Sequence, residues 1–490
     1  MSRQIDEKHK NRKPARLIRI IILEAVVILA LLGSYRLYLN MKADTEPGTK
    51  NGDGPSSLGV KDASKDEDDK DDPGDKDASG EEEMTPEEQA ALIEQERLQK
   101  ELEDRKGLIT QADRLALGYN YDGAIELLKS YQSSDGDYQR YPELGDAITR
   151  LEGEKSSLIQ LGGSYDSVTK INHIFFHSLV ADNSKAFDGD GDSRGYNMYM
   201  ATVSEFKKII QKMYDDGYVL VNISDLTKKV TTDDGSTKYE EGDIYLREGK
   251  KPFVISVDDV AYYEYMDQDG FASRIVLDGN GVPTCEMIEE DGTTVTGAFD
   301  VVPVLDDFVR EHPDFSYRGA KGLLALTGYE GILGYRTNDP KSPTYDQDVK
   351  QVKEVVQALK ADGWEFASHG WGHKNLKEID LAFLKRDTNR WLKEVAPLIG
   401  GSDVLVFPYG VDFETTLGHY SSDKFHFLKE SGFNVFLGVY SKPWMHIKDD
   451  YVRMTRRPID GQAMLQFPER LKDLFDPKDI LDPDRPKRNW

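Results

Sequence analysis

The 490 residues carry 63 basic and 89 acidic side chains, a net charge of -26, and an acidic excess of this size opposes a protein that tracks nucleic-acid phosphates. Cys285 is the one cysteine, which excludes an intrachain disulfide and any metal site built from several thiolates. The length suits one catalytic-sized domain with accessory segments.

Residues 1–19 form a basic tail containing Arg3, Lys8, Lys10, Arg12, Lys13, Arg16 and Arg19, and residues 20–38 are mostly Ile, Leu, Val and Ala. At about 1.5 Å of rise per residue a helix over 20–38 reaches roughly 28 Å, close to a bilayer core. Glu24 and Arg36 interrupt this stretch; Arg36 stands near its end, where a long side chain can reach the interface. No small-residue cleavage pattern follows, so the segment reads as an uncleaved signal-anchor with its basic side cytoplasmic and the rest of the chain extracellular. Residues 39–84 are an acidic linker with scarcely any bulky apolar side chain, too polar to offset the entropy of ordering.

At Thr85-Pro86-Glu87-Glu88 the residues suit a capping box, and the spacing predicts a helix to about Leu117, a turn at Gly118 to Asp122, and a second helix carrying Ala124, Ile125, Leu127 and Leu128. Residues 85–160 thus read as a helical stalk resembling one tetratricopeptide hairpin, with docking of an envelope protein partner as the alternative role. Residues 165–475 alternate apolar runs with amphipathic helices, the pattern of an α/β domain with largely parallel strands. Strands are predicted at Ile171 to Phe176, Tyr218 to Asn222, Pro252 to Val257, Gly322 to Leu326, Trp364 to Ser368, Val404 to Phe407, Asn434 to Val439 and Tyr451 to Met454. Two segments, near 228–250 and 263–300, are rich in Gly, Asp and Thr and read as inserted hairpins.

Polar residues gather at the C-terminal ends of different strands: His177, Asp258-Asp259, His369 to His373, and Pro408-Tyr409-Gly410. Parallel sheets and barrels assemble active sites at that edge. Adjacent side chains on a strand face opposite ways, so Asp258 and Asp259 converge only if the strand ends there; an Asp-Asp pair after a buried strand is otherwise an ordinary polar turn. His369 and His373 stand four residues apart around one turn, and with an Asp they form a ligand set that suits zinc.

Ser256-Val257-Asp258-Asp259, His369-Gly370-Trp371-Gly372-His373 and Phe407-Pro408-Tyr409-Gly410, in this order, resemble the first three motifs of the polysaccharide deacetylases, the NodB-homology or carbohydrate esterase family 4 enzymes. Ile174 to Ser178 resembles the opening strand of that family, and the resemblance runs over roughly residues 170–460. It implies a distorted (β/α) barrel of about seven strands. It further implies Asp258 as general base, Asp259, His369 and His373 as ligands of a divalent metal, zinc with cobalt or nickel as alternatives, and the Tyr409 N–H as oxyanion donor. The expected activity is metal-dependent removal of N-acetyl groups from a cell-wall or extracellular polysaccharide of the N-acetylglucosamine type.

Three departures accompany the resemblance. Tyr451 to Pro458 lacks the late histidine of many relatives, which is similar to the poly-N-acetylglucosamine deacetylase subgroup and implies His177 as acid, with His446 as the alternative. Val406 stands where relatives carry an Arg that orients the base, so Arg453, Arg456 or Arg457 is expected to replace it. Val260 stands where relatives have Gly. Trp371 and Pro408, beside Tyr409, are expected to bind substrate, with Trp444 and Tyr262 as weaker candidates. A glycan-binding domain without turnover is the alternative reading of the whole.

Overall fold

The computed structural model describes residues 84–161, 168–414 and 418–487. The basic tail, the anchor and all of the linker but Met84 lie outside them. Among the described residues no helix is long and apolar enough to cross a membrane.

Helix α1, Pro86–Leu117, starts as the sequence suggests: the Glu88 N–H donates to the Thr85 hydroxyl at 3.3 Å and the Thr85 N–H to the Glu88 carboxylate at 2.8 Å. It stops at Gly118; Tyr119 then takes φ 67 and Asn120 caps α2, Tyr121–Lys129. A third helix not foreseen from the spacing, α3 (Pro142–Ser156), completes the region. Ala112, Ala116 and Ala124 let these helices approach closely around Leu128, Leu144 and Leu151.

Seven parallel strands close into a barrel: β1 Asn172–Phe176, β2 Lys251–Val257, β3 Gly322–Leu326, β4 Trp364–Ser368, β5 Val404–Val406, β6 Val435–Val439 and β7 Val452–Pro458. Around the barrel the order is β3, β4, β5, β6, β7, β1, β2, with β2 returning to β3. Two short strands fill the wider seams: Tyr218–Leu220 pairs with the start of β2, and Met445–Ile447 runs antiparallel to the start of β7. The expected strand at Tyr451 to Met454 is longer than its apolar run, because Thr455 and Arg456 continue the ladder on β6 and Arg457 and Pro458 pair with β1.

Period-two alternation sorts the side chains into two cores. Ile174, Phe253, Ile255, Leu324, Leu326, Phe366 and Phe407 point outward under the amphipathic helices α4 (Val203–Asp215), α5 (Val301–Glu311), α6 (Tyr345–Ala361), α7 (Leu381–Glu394) and α8 (Asp423–Glu430). Val254, Leu323, Ala325, Ala367, Val404, Val435 and Val452 point inward and fill the barrel's lower half. At the base the helical region is tied on: Tyr119 is buried among the inward set, Arg247 donates to the Ala116 and Leu117 carbonyls at 2.9 and 3.0 Å, and the Arg318 N–H donates to the Gly118 carbonyl at 2.8 Å.

The two inserted segments are a hairpin pairing Thr227–Thr231 with Thr237–Glu241, and a three-stranded meander of Arg274–Leu277, Pro283–Ile288 and Thr294–Gly297. In the meander Cys285 is buried. Tyr262, a candidate for the sugar cleft, is buried as well and donates to Asp300 at 2.7 Å.

Candidate active site

The upper half of the barrel interior is polar, although it is built from the same strands. On β2 the inward series Val254, Ser256 ends at Asp258, and on β7 the series Val452, Met454 ends at Arg456. The two meet across the interior: Arg456 Nη1 donates to Asp258 Oδ1 at 2.6 Å and Nη2 to Oδ2 at 2.9 Å, a bidentate pair with both side chains buried. Nη1 also donates to Ser256 Oγ at 3.1 Å, and Ser256 Oγ is hydrogen-bonded to His173 Nε2 at 2.9 Å. Burial would raise the Asp258 pKa, but the Arg456 guanidinium, with His369 and His177 nearby, holds the carboxyl well below the usual range. Asp258 is therefore ionised at any physiological pH.

Of the three arginines proposed to replace the missing motif residue, Arg456 alone reaches Asp258. Arg453 and Arg457 fall on the outward face, where Arg453 pairs with Asp412 and Arg457 with Asp473. Val406, at the expected arginine position, is fully buried and offers its carbonyl instead. His369 Nδ1 lies 3.0 Å from that carbonyl. A carbonyl only accepts, so Nδ1 carries the proton and Nε2 keeps its lone pair.

Asp259, His373 and Tyr409 have φ of 58, 48 and 59, left-handed conformations that cost a non-glycine residue free energy and mark a constrained turn. The turn after β2 swings the Asp259 carboxylate back beside Asp258. Its Oδ1 lies 4.0 Å from His369 Nε2 and 3.8 Å from His373 Nε2, and one ligand atom of each of the three residues falls within 4.8 Å of the others. Ligand bonds of about 2.0–2.2 Å allow two donors to share an ion when they stand roughly 4 Å apart. One carboxylate oxygen and two imidazole nitrogens therefore fit a divalent ion such as zinc, with positions left for solvent or substrate. Burial lowers the His373 pKa, which keeps that ring neutral and able to ligate.

Two residues outside the motifs position these side chains. The Tyr263 hydroxyl donates to Asp259 Oδ1 at 2.8 Å. Asp387, reaching over from α7, accepts the Trp371 N–H at 2.8 Å and the Gly372 N–H at 2.9 Å and so fixes the loop between the two histidines. Neither has a sequence signal: Tyr263 sits among several tyrosines, and Asp387 lies on a helix well past the motif.

On the far side of this loop Pro408 is buried, and the exposed Tyr409 ring lies 4.6 Å from the His373 ring. Among the described residues no acceptor takes the Tyr409 N–H. Gly410 has φ 67, and a Cβ there would stand 2.3 Å from Val439, so the turn requires glycine.

His177 continues the inward face of β1 and stands near Asp258 and His373. Its Nδ1 lies 3.1 Å from the Tyr199 carbonyl, which fixes Nε2 as the free nitrogen. His446 is not brought to the site; it pairs with Arg453 near the start of β7, below Arg456, and its ring lies 4.8 Å from Trp444. Trp371 has its indole N–H on Glu394 at 2.8 Å and Arg390 over its ring at 3.4 Å, so the ring packs against α7 instead of offering a free face.

No family model and no curated protein matches this chain. Among solved structures it is similar to a Bacillus anthracis protein assigned as a polysaccharide deacetylase, with 13% identity and a TM-score of 0.34 over 59% of this chain and 65% of that one. It is also similar to the Streptococcus pyogenes deacetylase PplD in complex with acetate, with 12% identity and a TM-score of 0.30 over 61% of this chain and 97% of that one. A de-N-acetylase from Aggregatibacter actinomycetemcomitans gives 14% identity and a TM-score of 0.36 over 62% and 99%. The chain thus resembles solved polysaccharide deacetylases.

Proposed function

We propose that this chain is a metal-dependent polysaccharide deacetylase that hydrolyses the acetamido groups of an N-acetylglucosamine-type polymer and releases acetate. The observation that carries the reading is the meeting of Asp259, His369 and His373 beside an Asp258 carboxylate clamped by Arg456.

A divalent ion, zinc or in its place cobalt or nickel, supplies Lewis acidity toward the amide carbonyl when held by Asp259, His369 and His373. Asp258, kept ionised and aimed by Arg456, takes the proton of the attacking water as the carbon–oxygen bond forms. The Tyr409 N–H faces the oxygen that gains charge, and a donor of this kind contributes about 3 kcal/mol. His177 Nε2 protonates the sugar nitrogen as the carbon–nitrogen bond breaks, so an amine and acetate leave together. The bidentate Arg456 contact supplies what Val406 lacks, and this favours turnover over the glycan-binding alternative. The basic tail and the apolar run over 20–38 support a single-pass membrane anchor with the barrel outside the cell.

Bound metal and acetate release are measured together on the full chain, with N-acetylglucosamine oligomers, peptidoglycan and poly-N-acetylglucosamine as substrates. Wild type should bind one divalent ion and release acetate from at least one of them. Asp259→Ala and His373→Ala should lose both, and Asp258→Asn should keep the metal and lose turnover. Wild-type protein that neither binds a divalent ion nor releases acetate overturns the proposal.

A further inference from the structure

Five aromatic side chains are strongly exposed among the described residues, all of them tyrosines: Tyr199, Tyr245, Tyr265, Tyr409 and Tyr440. Four of the five stand at the barrel mouth, in the connections that follow β1, β2, β5 and β6. Each is tied to a residue of the site. The Tyr199 carbonyl accepts from His177, Tyr265 stacks on the Tyr263 whose hydroxyl holds Asp259, the Tyr409 ring lies against His373, and the Tyr440 N–H donates to the Arg456 carbonyl at 3.1 Å. Random surface placement does not gather exposed rings at one end of a barrel, and such patches mark binding sites.

Two of these tyrosines are built as stacking surfaces. Tyr265, 57% exposed, lies 5.7 Å from Tyr263 at an interplanar angle of 13°, and Tyr263 in turn stacks on Tyr329 at 5.4 Å and 21°. This row is anchored at its middle by the Tyr263–Asp259 hydrogen bond, so the outer ring is held in place before any ligand arrives. Tyr440, 58% exposed, walls a cavity of about 350 Å³ that also offers Asp460, Gln462 and Arg470 beside the apolar Phe467 and Leu471. An aromatic face with a few convergent polar groups suits a pyranose, whose ring has C–H faces and a hydroxyl edge. In the circle of strands β2 and β6 are separated by two strands on one side and three on the other, so the two surfaces flank the site from opposite sides.

We propose that Tyr265 and Tyr440 are sugar-stacking subsites on either side of the reacting unit, so that the site takes internal residues of an amino-sugar chain and not a monosaccharide or a chain end. The proposal rests on the deacetylase reading for the chemistry at the centre, but the subsites bind sugar whether or not turnover occurs.

Its test therefore has a binding arm and a turnover arm. Calorimetric affinity for N-acetylglucosamine oligomers of one to six units is measured on full-length wild type, Tyr265→Ala, Tyr440→Ala and Tyr265→Phe, and kcat/KM is measured on the same series. Wild-type affinity and kcat/KM should rise with length. Each alanine variant should lose roughly fivefold on the longest oligomers, the equivalent of one aromatic contact, and the loss should shrink toward the single sugar unit. Tyr265→Phe, which keeps the stacking face, should behave as wild type. Length-independent binding in wild type, or alanine variants that bind six units as tightly as wild type, overturns the proposal. Failure of turnover with length-dependent binding intact would count against the deacetylase reading alone.

Discussion

The two ends of the barrel interior are built from the same strands and do opposite work. Below, Val254, Leu323, Val404, Val435 and Val452 make a dry core that continues onto Tyr119 of the helical region. Above, one or two inward positions further along the strands, stand Ser256, Asp258, His369 and Arg456, all buried, with Arg456 bonded to Ser256 and Asp258 and His369 to the Val406 carbonyl. The alternation that fills the base thus also aims the site: a residue's parity on its strand selects the interior, and its distance along the strand selects structure or chemistry. Changes at the top should cost activity whether or not they cost stability, whereas changes at the base should cost stability alone.

Breaking the upper network at its centre has the largest expected effect. Arg456→Met leaves Asp258 buried without its counter-charge, which should lower stability by about 3–5 kcal/mol. The misoriented base should lower kcat/KM on the order of a thousandfold. Adding Asp258→Asn should restore much of the stability measured by denaturant unfolding and none of the acetate release. If the double variant is no more stable than Arg456→Met, the pair is not what holds this part of the core.

Below, the contrast reverses. Tyr119→Ala removes a buried ring from the join between helical region and barrel and should lower stability by about 3 kcal/mol. Values of kcat/KM at a temperature where the variant is folded should not change. A specific loss of activity would mean that the helical region reports to the mouth. Between these extremes lies Asp387→Ala, which frees the amides of Trp371 and Gly372 and loosens the loop carrying both histidines. Metal competition should show affinity lowered about 10- to 100-fold, with little change in unfolding of the metal-free protein.

The same contrast explains what could be read from the sequence. Strand ends were legible because apolar runs stop abruptly at polar residues, and three motifs at such ends named Asp258, Asp259, His369, His373 and Tyr409. Arg456 was one of three candidates, and strand parity would have chosen it: Met454 and Val452 share its face, while Arg453 and Arg457 fall on the other. That choice required the strand to run on to Pro458, which charged residues on an apolar run conceal. Asp387 and Tyr263 were not legible, since each acts through tertiary contact from a segment with no pattern of its own. The third helix, Pro142–Ser156, was missed because its stripe of Leu144, Ala147, Ile148 and Leu151 follows a loop with two short paired strands.

The smallest effect sharpens the comparison most, because it asks whether the upper interior is as dry as the lower. His173 is fully buried, and burial together with the nearby Arg456 charge lowers its pKa well below 6.5, so the ring stays neutral in the folded chain. In the unfolded chain it takes a proton below about pH 6.5. The unfolded state therefore binds more protons as pH falls, and folding stability that is fully present above that value is lost below it, at up to about 1.4 kcal/mol per pH unit for one such histidine. Denaturant unfolding of metal-free wild type and His173→Gln between pH 7.5 and pH 5 should show the variant with the shallower decline. Equal slopes would mean that His173 titrates normally and that water reaches the interior behind Asp258.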